Sequence, residues 1–598
     1  MKMAKIIASV VIVIIWCQLG ASVGVEKAEA KEESRSQIEE GKEEGGKKRV
    51  GEEKGRQGRG ERKGKREEGV KIGKLKRWLE RWRQRRKGKK GRGRKRKEKG
   101  GKGRKKKKKE KEEIEIEEEV KRADKIEVLD ERKWSEKQWG ESKLGDKRRT
   151  KRAVKMGEKM AQNPQGSIPE QMEGWGGTKA SYRLLNEEDV TMAKLTASHI
   201  EETKEKSGAV ETCLLLNDIS VMDTTDHPKT KNVEQVGTGR GLGFYLYTAI
   251  SYNPLTEEIM GIIGQHTFTR TPLGKKRSEK WSERSEEGKA WEKEAAAIGR
   301  PPKGKRWIHV GDRGSDSFGF MYACHRQKGV HFLIRLCQNR LLDWRDENEK
   351  KKQEKEDETQ RKMMDYARSL APTGSTYSVD IPANKKTAKR TAMMQLTWSK
   401  VNIPAPSAAP KAMHQHGSIP AWVVRAWELN PPPDVEKPLD WVLLSSLPVS
   451  NWQQAHQRVL WYAKRWLIEE FFKCLKSGCG LERSQLDDRF DIERLLGFST
   501  LIAVRLLQLR QTVRFAPHTP AFSIASPLQI HLLAHHFKLN PHTLTASQFW
   551  LAIARLGGYL NRRHDGPPGW ITIWKGYRQL MLMTHGAQIA LSFVPPPP

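Results

Sequence analysis

Two apolar runs lead directly into carboxylates. In LLLND (residues 214–218) and WIHVGD (307–312) a hydrophobic segment reaches Asp218 and Asp312. Runs of this length and composition predict buried β-strands, each ending at its aspartate, with Gly311 and Gly314 allowing a tight turn around Asp312. A carboxylate at the end of a buried strand is poorly placed for stability and well placed for holding a metal. VHFLIRL (330–336) predicts a third strand. A turn-rich block at about 338–450 carries further strands, and a helical pattern runs from Asn451 nearly to the C-terminus. Strands, an inserted strand-rich block and then helices predict an α/β core with an insertion.

Charge divides the chain. The formal net charge is +38, and residues 26–112 hold 39 basic and 17 acidic residues, a net +22. This Lys-, Arg-, Glu- and Gly-rich stretch has too few apolar residues for a core, so 26–129 is expected to be a disordered tail. The body remains basic, which favours a polyanionic partner, most commonly nucleic acid. The six cysteines form no C-x-x-C pair. That disfavours a structural zinc site, and reduced buried thiols are expected. Residues 1–25 read as a secretory signal, with lysines, an apolar run from Ile6 to Cys17 and small residues near Ala21. No exported function follows from the body, and the expectation is that the true start lies later, for example at Val120.

The segment WYAKRWLIEEFFKCLKSGCGLE (461–482) predicts one continuous helix. At about 100° per residue, Tyr462, Arg465, Glu469, Lys473 and Lys476 share a narrow stripe, opposite Leu467, Phe471, Cys474 and Leu475. Such a stripe suits a wet face with weak surface ion pairs. Two strand-borne aspartates elsewhere favour another use for Glu469: one of three carboxylates holding two divalent metals for phosphoryl transfer. Arg465 and Lys476 would then meet DNA phosphates.

The spacing Tyr462, Arg465, Glu469, Lys476 resembles the Y-x2-R-x3-E-x6-K signature of bacterial insertion-sequence DDE transposases, the group that includes the transposon-five transposase. NDISVMDTTDHP resembles that family's first acidic motif and GDRGSD its second. WGESKLGDKRRTKRAVKMGEKMAQNP and SYRLLNEEDVT resemble its N-terminal DNA-binding domain, and ARLGGYLNRRHDGPPGWITIWKGYRQL its C-terminal region. The resemblance covers about Trp134 to Leu580 in chain order.

The resemblance implies a ribonuclease-H-like catalytic core with an inserted β-rich subdomain, a helical N-terminal DNA-binding domain (130–205) and a helical C-terminal dimerisation region (516–598). The core would span 206–515. It implies Asp218, Asp312 and Glu469 as catalytic and metal residues, holding two Mg2+ ions with Mn2+ as a substitute. Asp223, in MDTT, competes for the first position; Asp218 is preferred because it ends the apolar strand and leaves DHP at the family's distance. Arg335 would contact DNA. Trp441 would help hold a flipped base, with core packing as its alternative. Lys147, Arg148 and Arg149 would meet DNA through a basic helix face. Double-stranded DNA, both transposon ends and target, is the implied partner, with a homodimer in which small residues near Gly557 allow close helix approach. The expected activity is cut-and-paste transposition in the cytoplasm at the nucleoid, with no membrane association. A catalytically inactive DNA-binding relative or inhibitor is the rival, and a secreted basic protein a third reading from the N-terminus alone.

Overall fold

The computed structural model describes residues 131–592 apart from 173, 238, 271–280, 282–285, 344–361, 382–388, 434 and 564. The signal-like segment and the basic tail lie outside the described residues. Among the described residues, five helices come first: α1 (Glu131–Trp139), α2 (Lys147–Gln162), α3 (Ile168–Met172), α4 (Trp175–Leu185) and α5 (Met192–Ala209). Asp146 caps α2 by accepting from the Arg148 N–H, and Thr191 caps α5 by accepting from Lys194. Trp139 is fully buried and packs on Phe498, 5.0 Å between ring centroids, which joins these helices to the body.

The body is a mixed sheet between helical layers. Its strands are β1 (Thr212–Asp223), β2 (Glu234–Val236), β3 (Gly241–Asn253), β4 (Glu258–Phe268), β5 (Arg306–Gly311), β6 (Val330–Arg335), β7 (Thr376–Ile381), β8 (Arg390–Ile403), β9 (Ile419–Leu429) and β10 (Asp440–Ser445). Between them lie α6 (Glu286–Ile298), α7 (Phe318–His325), α8 (Met363–Ser369) and α9 (Lys411–Gln415). All ten strands form one sheet in the order β2-β3-β1-β5-β6-β10-β9-β8-β7, with β4 also paired to β3. The β1, β5 and β6 strands run parallel, while β3 and β4 are antiparallel to their neighbours. This mixed α/β arrangement fits a ribonuclease-H-like core. The strand-rich insertion is present, but it does not stand apart: β10 pairs with β6 and carries β9, β8 and β7 outward as a continuation of the same sheet.

Helices follow: α10 (Trp452–Ala463), α11 (Trp466–Lys473), α12 (Arg489–Phe515), α13 (Pro527–Phe537), α14 (Ala546–Leu556) and α15 (Trp570–Ser592). One sheet face, with Leu214, Leu216, Leu246 and Val310, shares a core with Ile468 and Phe471 of α11 and Leu496 of α12. The other face, with Leu215, Ala249 and Ile334, packs on Trp291 of α6 and Phe320 of α7. The end of α12 joins α13–α15 in a third cluster around Ile530, Leu533 and Ile553. Among the described residues, no helix is long and apolar enough to cross a membrane.

Two local expectations are corrected. The first strand does not end at Asp218: β1 runs on to Asp223, because β3 pairs with it from Leu214 to Asp223 while β5 pairs only as far as Leu216. Residues 461–482 are not one helix either. The chain steps at Lys464 and Arg465, where the Leu467 and Ile468 N–H groups bond to carbonyls three residues back, and α11 ends in a π turn, Cys474–Gly478. The pull on the step is tertiary. Lys464 Nζ pairs with Glu257 at 2.9 Å, while the next residue, Arg465, pairs with carboxylates elsewhere.

Candidate active site

The strand registers align one polar row across the sheet. Gln265 lies opposite Thr248, and Thr248 opposite Asp218. The β1–β5 register ends at Leu216 and Val310; carried two residues on, it sets Asp218 beside Asp312. The β5–β6 register ends at Gly311 and Ile334, and the next pair is Asp312 and Arg335. Directly opposed residues project from the same face, so Gln265, Thr248, Asp218, Asp312 and Arg335 share the face that carries α11 and α12.

Asp312 follows β5 and caps a short turn, Arg313–Ser315, accepting from the Gly314 N–H at 2.8 Å. The backbone is tight here: a Cβ on Gly311 would lie 2.4 Å from Ser315 Oγ. Asp218 accepts from the Ile219 N–H at 2.8 Å. Glu469 stands in the first turn of α11. Arg465 joins the two elements: its Nη1–H donates to Asp218 Oδ2 at 3.1 Å, and its Nη2–H to Glu469 Oε1. Burial pushes the Asp218 carboxyl from 3.8 up to about 7; the negative charge of Asp312, and less so that of Glu469, adds to the rise, while Arg465 opposes it.

This donor set fits a divalent cation chemically. Three carboxylates come from β1, the end of β5 and α11, and a dication would relieve the repulsion that adds to the burial cost at Asp218. Arg465 supplies the positive charge between Asp218 and Glu469 instead, and among the described residues no three His, Cys, Asp or Glu side chains are grouped as metal ligands.

The remaining expected residues divide. Tyr462 and Trp441 are buried at 4% exposure each and meet edge to face, 5.0 Å between centroids. Arg335 reaches over the Trp441 ring at 5.7 Å and donates to the Asp440 carbonyl at 3.3 Å. Trp441 is thus a core side chain in this structure, with Arg335 over its ring and Tyr462 meeting it edge to face. Arg465 is also buried rather than facing solvent. Lys473 turns from the expected stripe to the Trp466 ring, 3.9 Å from its centroid, and pairs with Glu470 at 3.5 Å. Lys476, half-buried, lies in the π turn. Asp223 stands exposed at the far end of β1, accepting from the Thr225 N–H at 2.9 Å. The last Asp of GDRGSD, Asp316, is buried, accepts from the Cys337 and Gln338 N–H groups and pairs with Arg340.

Three residues were not singled out from the sequence. Thr248 is fully buried, and its hydroxyl has no hydrogen-bond partner among the described residues; neither polar atom of the Gln265 carboxamide has one. Their sequence signal is slight: polar residues within largely apolar strands, YLYTAISY and IIGQHTF. The third, Glu470, pairs with Arg510 and accepts from Trp570 Nε1 at 2.6 Å, tying α11 to α12 and α15. Its signal was its place next to Glu469.

In the N-terminal helices, α2 opens with Lys147, Arg148, Arg149, Lys151 and Arg152 and has no acidic residue in its first turn. Basic charge at a helix N-terminus opposes the macrodipole, and an incoming phosphate relieves both. Lys147, Arg148 and Lys151 are exposed. Arg149 is held back by Glu187 at 2.8 Å and Asp189 at 2.9 Å.

Two known protein families match separate parts of the chain. Residues 131–190 match the family model described as Transposase DNA-binding, and residues 300–505 the one described as Transposase DDE domain. The first match contains α1, α2 and the basic helix start; the second contains Asp312, Arg335, Trp441, Tyr462, Arg465 and Glu469. Asp218 lies upstream of the second match and joins it through the sheet. The two matches support a DNA transposase with DNA as its partner.

Proposed function

We propose that this protein is a cut-and-paste insertion-sequence transposase of the Y-R-E-K type, similar to the transposon-five transposase, with Asp218, Asp312 and Glu469 as its catalytic carboxylates. The observation that carries this reading is Arg465 joining Asp218 of β1 to Glu469 of α11, with Asp312 next to Asp218 in the extended β1–β5 register. Two divalent cations, Mg2+ or Mn2+, held by these carboxylates would activate water or a 3′-hydroxyl and stabilise the leaving oxygen. The chain's own contribution is placement. The sheet fixes Asp218 and Asp312, α11 sets Glu469 against them, and Arg465, Lys473 and Lys476 offer cations to the phosphates beside the cut. Hydrolysis of one strand at the transposon end frees a 3′-hydroxyl. That hydroxyl attacks the opposite strand to form a hairpin, and re-opening and strand transfer into target DNA follow.

Lys147, Arg148 and Lys151 anchor the duplex, and two chains act as a homodimer on paired ends. The exposed Ile571, Leu582 and Ile589 support the dimer, since spacings of eleven and seven residues put them on one face of α15. The work is done at the nucleoid in the cytoplasm.

The test is Glu469→Ala in the full-length chain, assayed on duplexes carrying the inverted repeats that flank the gene. End binding should persist while nicking in Mg2+ disappears; normal nicking by this variant would overturn the assignment. A second reading, a DNA-binding relative that does not cut, draws support from the pairing of Arg465 with two of the three carboxylates. It would be favoured by a wild-type chain that shifts end DNA in a gel yet never cleaves it with Mg2+ or Mn2+.

A further inference from the structure

We propose that Arg465 is an internal stand-in for a divalent cation, holding Asp218 and Glu469 together in the DNA-free protein and giving way to metal only when a DNA phosphate draws it off. The inference rests on the proposed reading of Asp218, Asp312 and Glu469 as the metal-binding set.

Three observations carry it. The Arg465 side chain is 7% exposed and forks to carboxylates on two different elements, β1 and α11. A guanidinium there and a dication on the same oxygens would repel strongly at this burial, so the two occupancies exclude each other. Arg465 also sits on the one step between α10 and α11, where hydrogen bonds run three residues back and Lys464 is anchored separately to Glu257. Torsions at such a step can re-aim one side chain without unwinding either helix. Finally, Arg465 leads the helix that runs on to the basic Lys473 and Lys476 at its C-terminal end. A phosphate arriving here offers a planar, charge-assisted partner in exchange for the two carboxylates.

The consequence is ordered loading. Withdrawal of Arg465 onto phosphate uncovers the carboxylates, so DNA raises metal affinity, and by linkage metal raises DNA affinity by the same factor. Without DNA, the carboxylates stay neutralised internally and hydrolytic chemistry stays off.

The experiment is a titration of the full-length chain with Mn2+, free ion read by electron paramagnetic resonance, with and without duplex DNA. Arg465→Gln keeps side-chain polarity and removes the charge; Arg465→Lys keeps a charge that cannot fork to two carboxylates. Without DNA, R465Q should bind Mn2+ roughly tenfold or more tighter than wild type, the equivalent of one lost charge-assisted contact. R465K should fall between them. Duplex DNA should tighten Mn2+ binding to wild type and change R465Q little. Thermal melts establish that each variant is folded, and where R465Q is not, R465K decides. A folded variant that binds Mn2+ no more tightly than wild type without DNA overturns the stand-in role. The ligand reading fails separately: adding Glu469→Ala to R465Q should abolish the gained affinity, and persistence of that affinity would overturn Glu469 as a ligand instead. No Mn2+ uptake by any form, with or without DNA, would overturn both.

Discussion

At the scale of single residues, Asp218 is the most constrained group in the site. Its carboxyl is raised from 3.8 to about 7, first by burial and then by Asp312, with Glu469 adding less. The folded state therefore keeps a proton that the unfolded chain releases, and the Asp218 contribution to stability falls as pH rises from about 4 to about 7. Asp218→Asn should be more stable than wild type at about pH 8 by roughly 1–3 kcal/mol, the gap closing near pH 4. Thermal melts at the two pH values check this, and an equal gap at both would refute it. Asp312 was legible in the sequence because apolar strand, aspartate and glycine fall within a few consecutive residues. Asp218 was legible as a carboxylate but not as a mid-strand one, since the strand's extension depends on β3, paired from a distant part of the chain. Thr248 and Gln265 were not legible. A polar residue in a strand ordinarily signals an outward face, and only the register shows these two in line with Asp218.

At the scale of elements, the C-terminal helices show how a correct local reading can have another partner. The small residues of ARLGGYL do allow close helix approach, but the helix approached is the chain's own α15. A Cβ on Gly557 would lie 1.9 Å from the Thr572 carbonyl oxygen, and one on Gly576 would lie 1.7 Å from that of Ile553. Backbone oxygens cannot move aside as a flexible side chain can. Gly557→Ala should therefore destabilise the α14–α15 crossing by about 2 kcal/mol or more, and early proteolytic cleavage within 546–592 would report it. Wild-type resistance to protease in this variant would show that the crossing yields at little cost. The break between α10 and α11 follows the same lesson. Periodicity counts apolar and polar positions along one axis, and it cannot see Glu257 and Asp218 pulling neighbouring residues different ways.

At the scale of the whole molecule, charge and sheet continuity matter most. Exposed Lys147, Arg148 and Lys151 begin α2, whereas Arg149 is locked to Glu187 and Asp189. Replacing the first three by Gln should lower the slope of log affinity against log salt by roughly 2–3. Arg149→Gln should leave the slope nearly unchanged and lower the melting temperature; filter binding across a salt series separates the two. The broad order of helices, strands and helices was readable from hydrophobic patterning, because each element was long enough to show its period. The single sheet was not, since β6 and β10 are joined by hydrogen bonds between segments separated by the whole insertion. One consequence reaches from the C-terminal helices back to the carboxylates. Glu469 and Glu470 are identical side chains one residue apart, so α11 could in principle seat against the sheet in two phases about 100° apart. Arg510 and Trp570 grip Glu470 and leave Glu469 to Arg465. The distal helices thereby act as a detent on α11: they set which of two identical glutamates turns to Arg465.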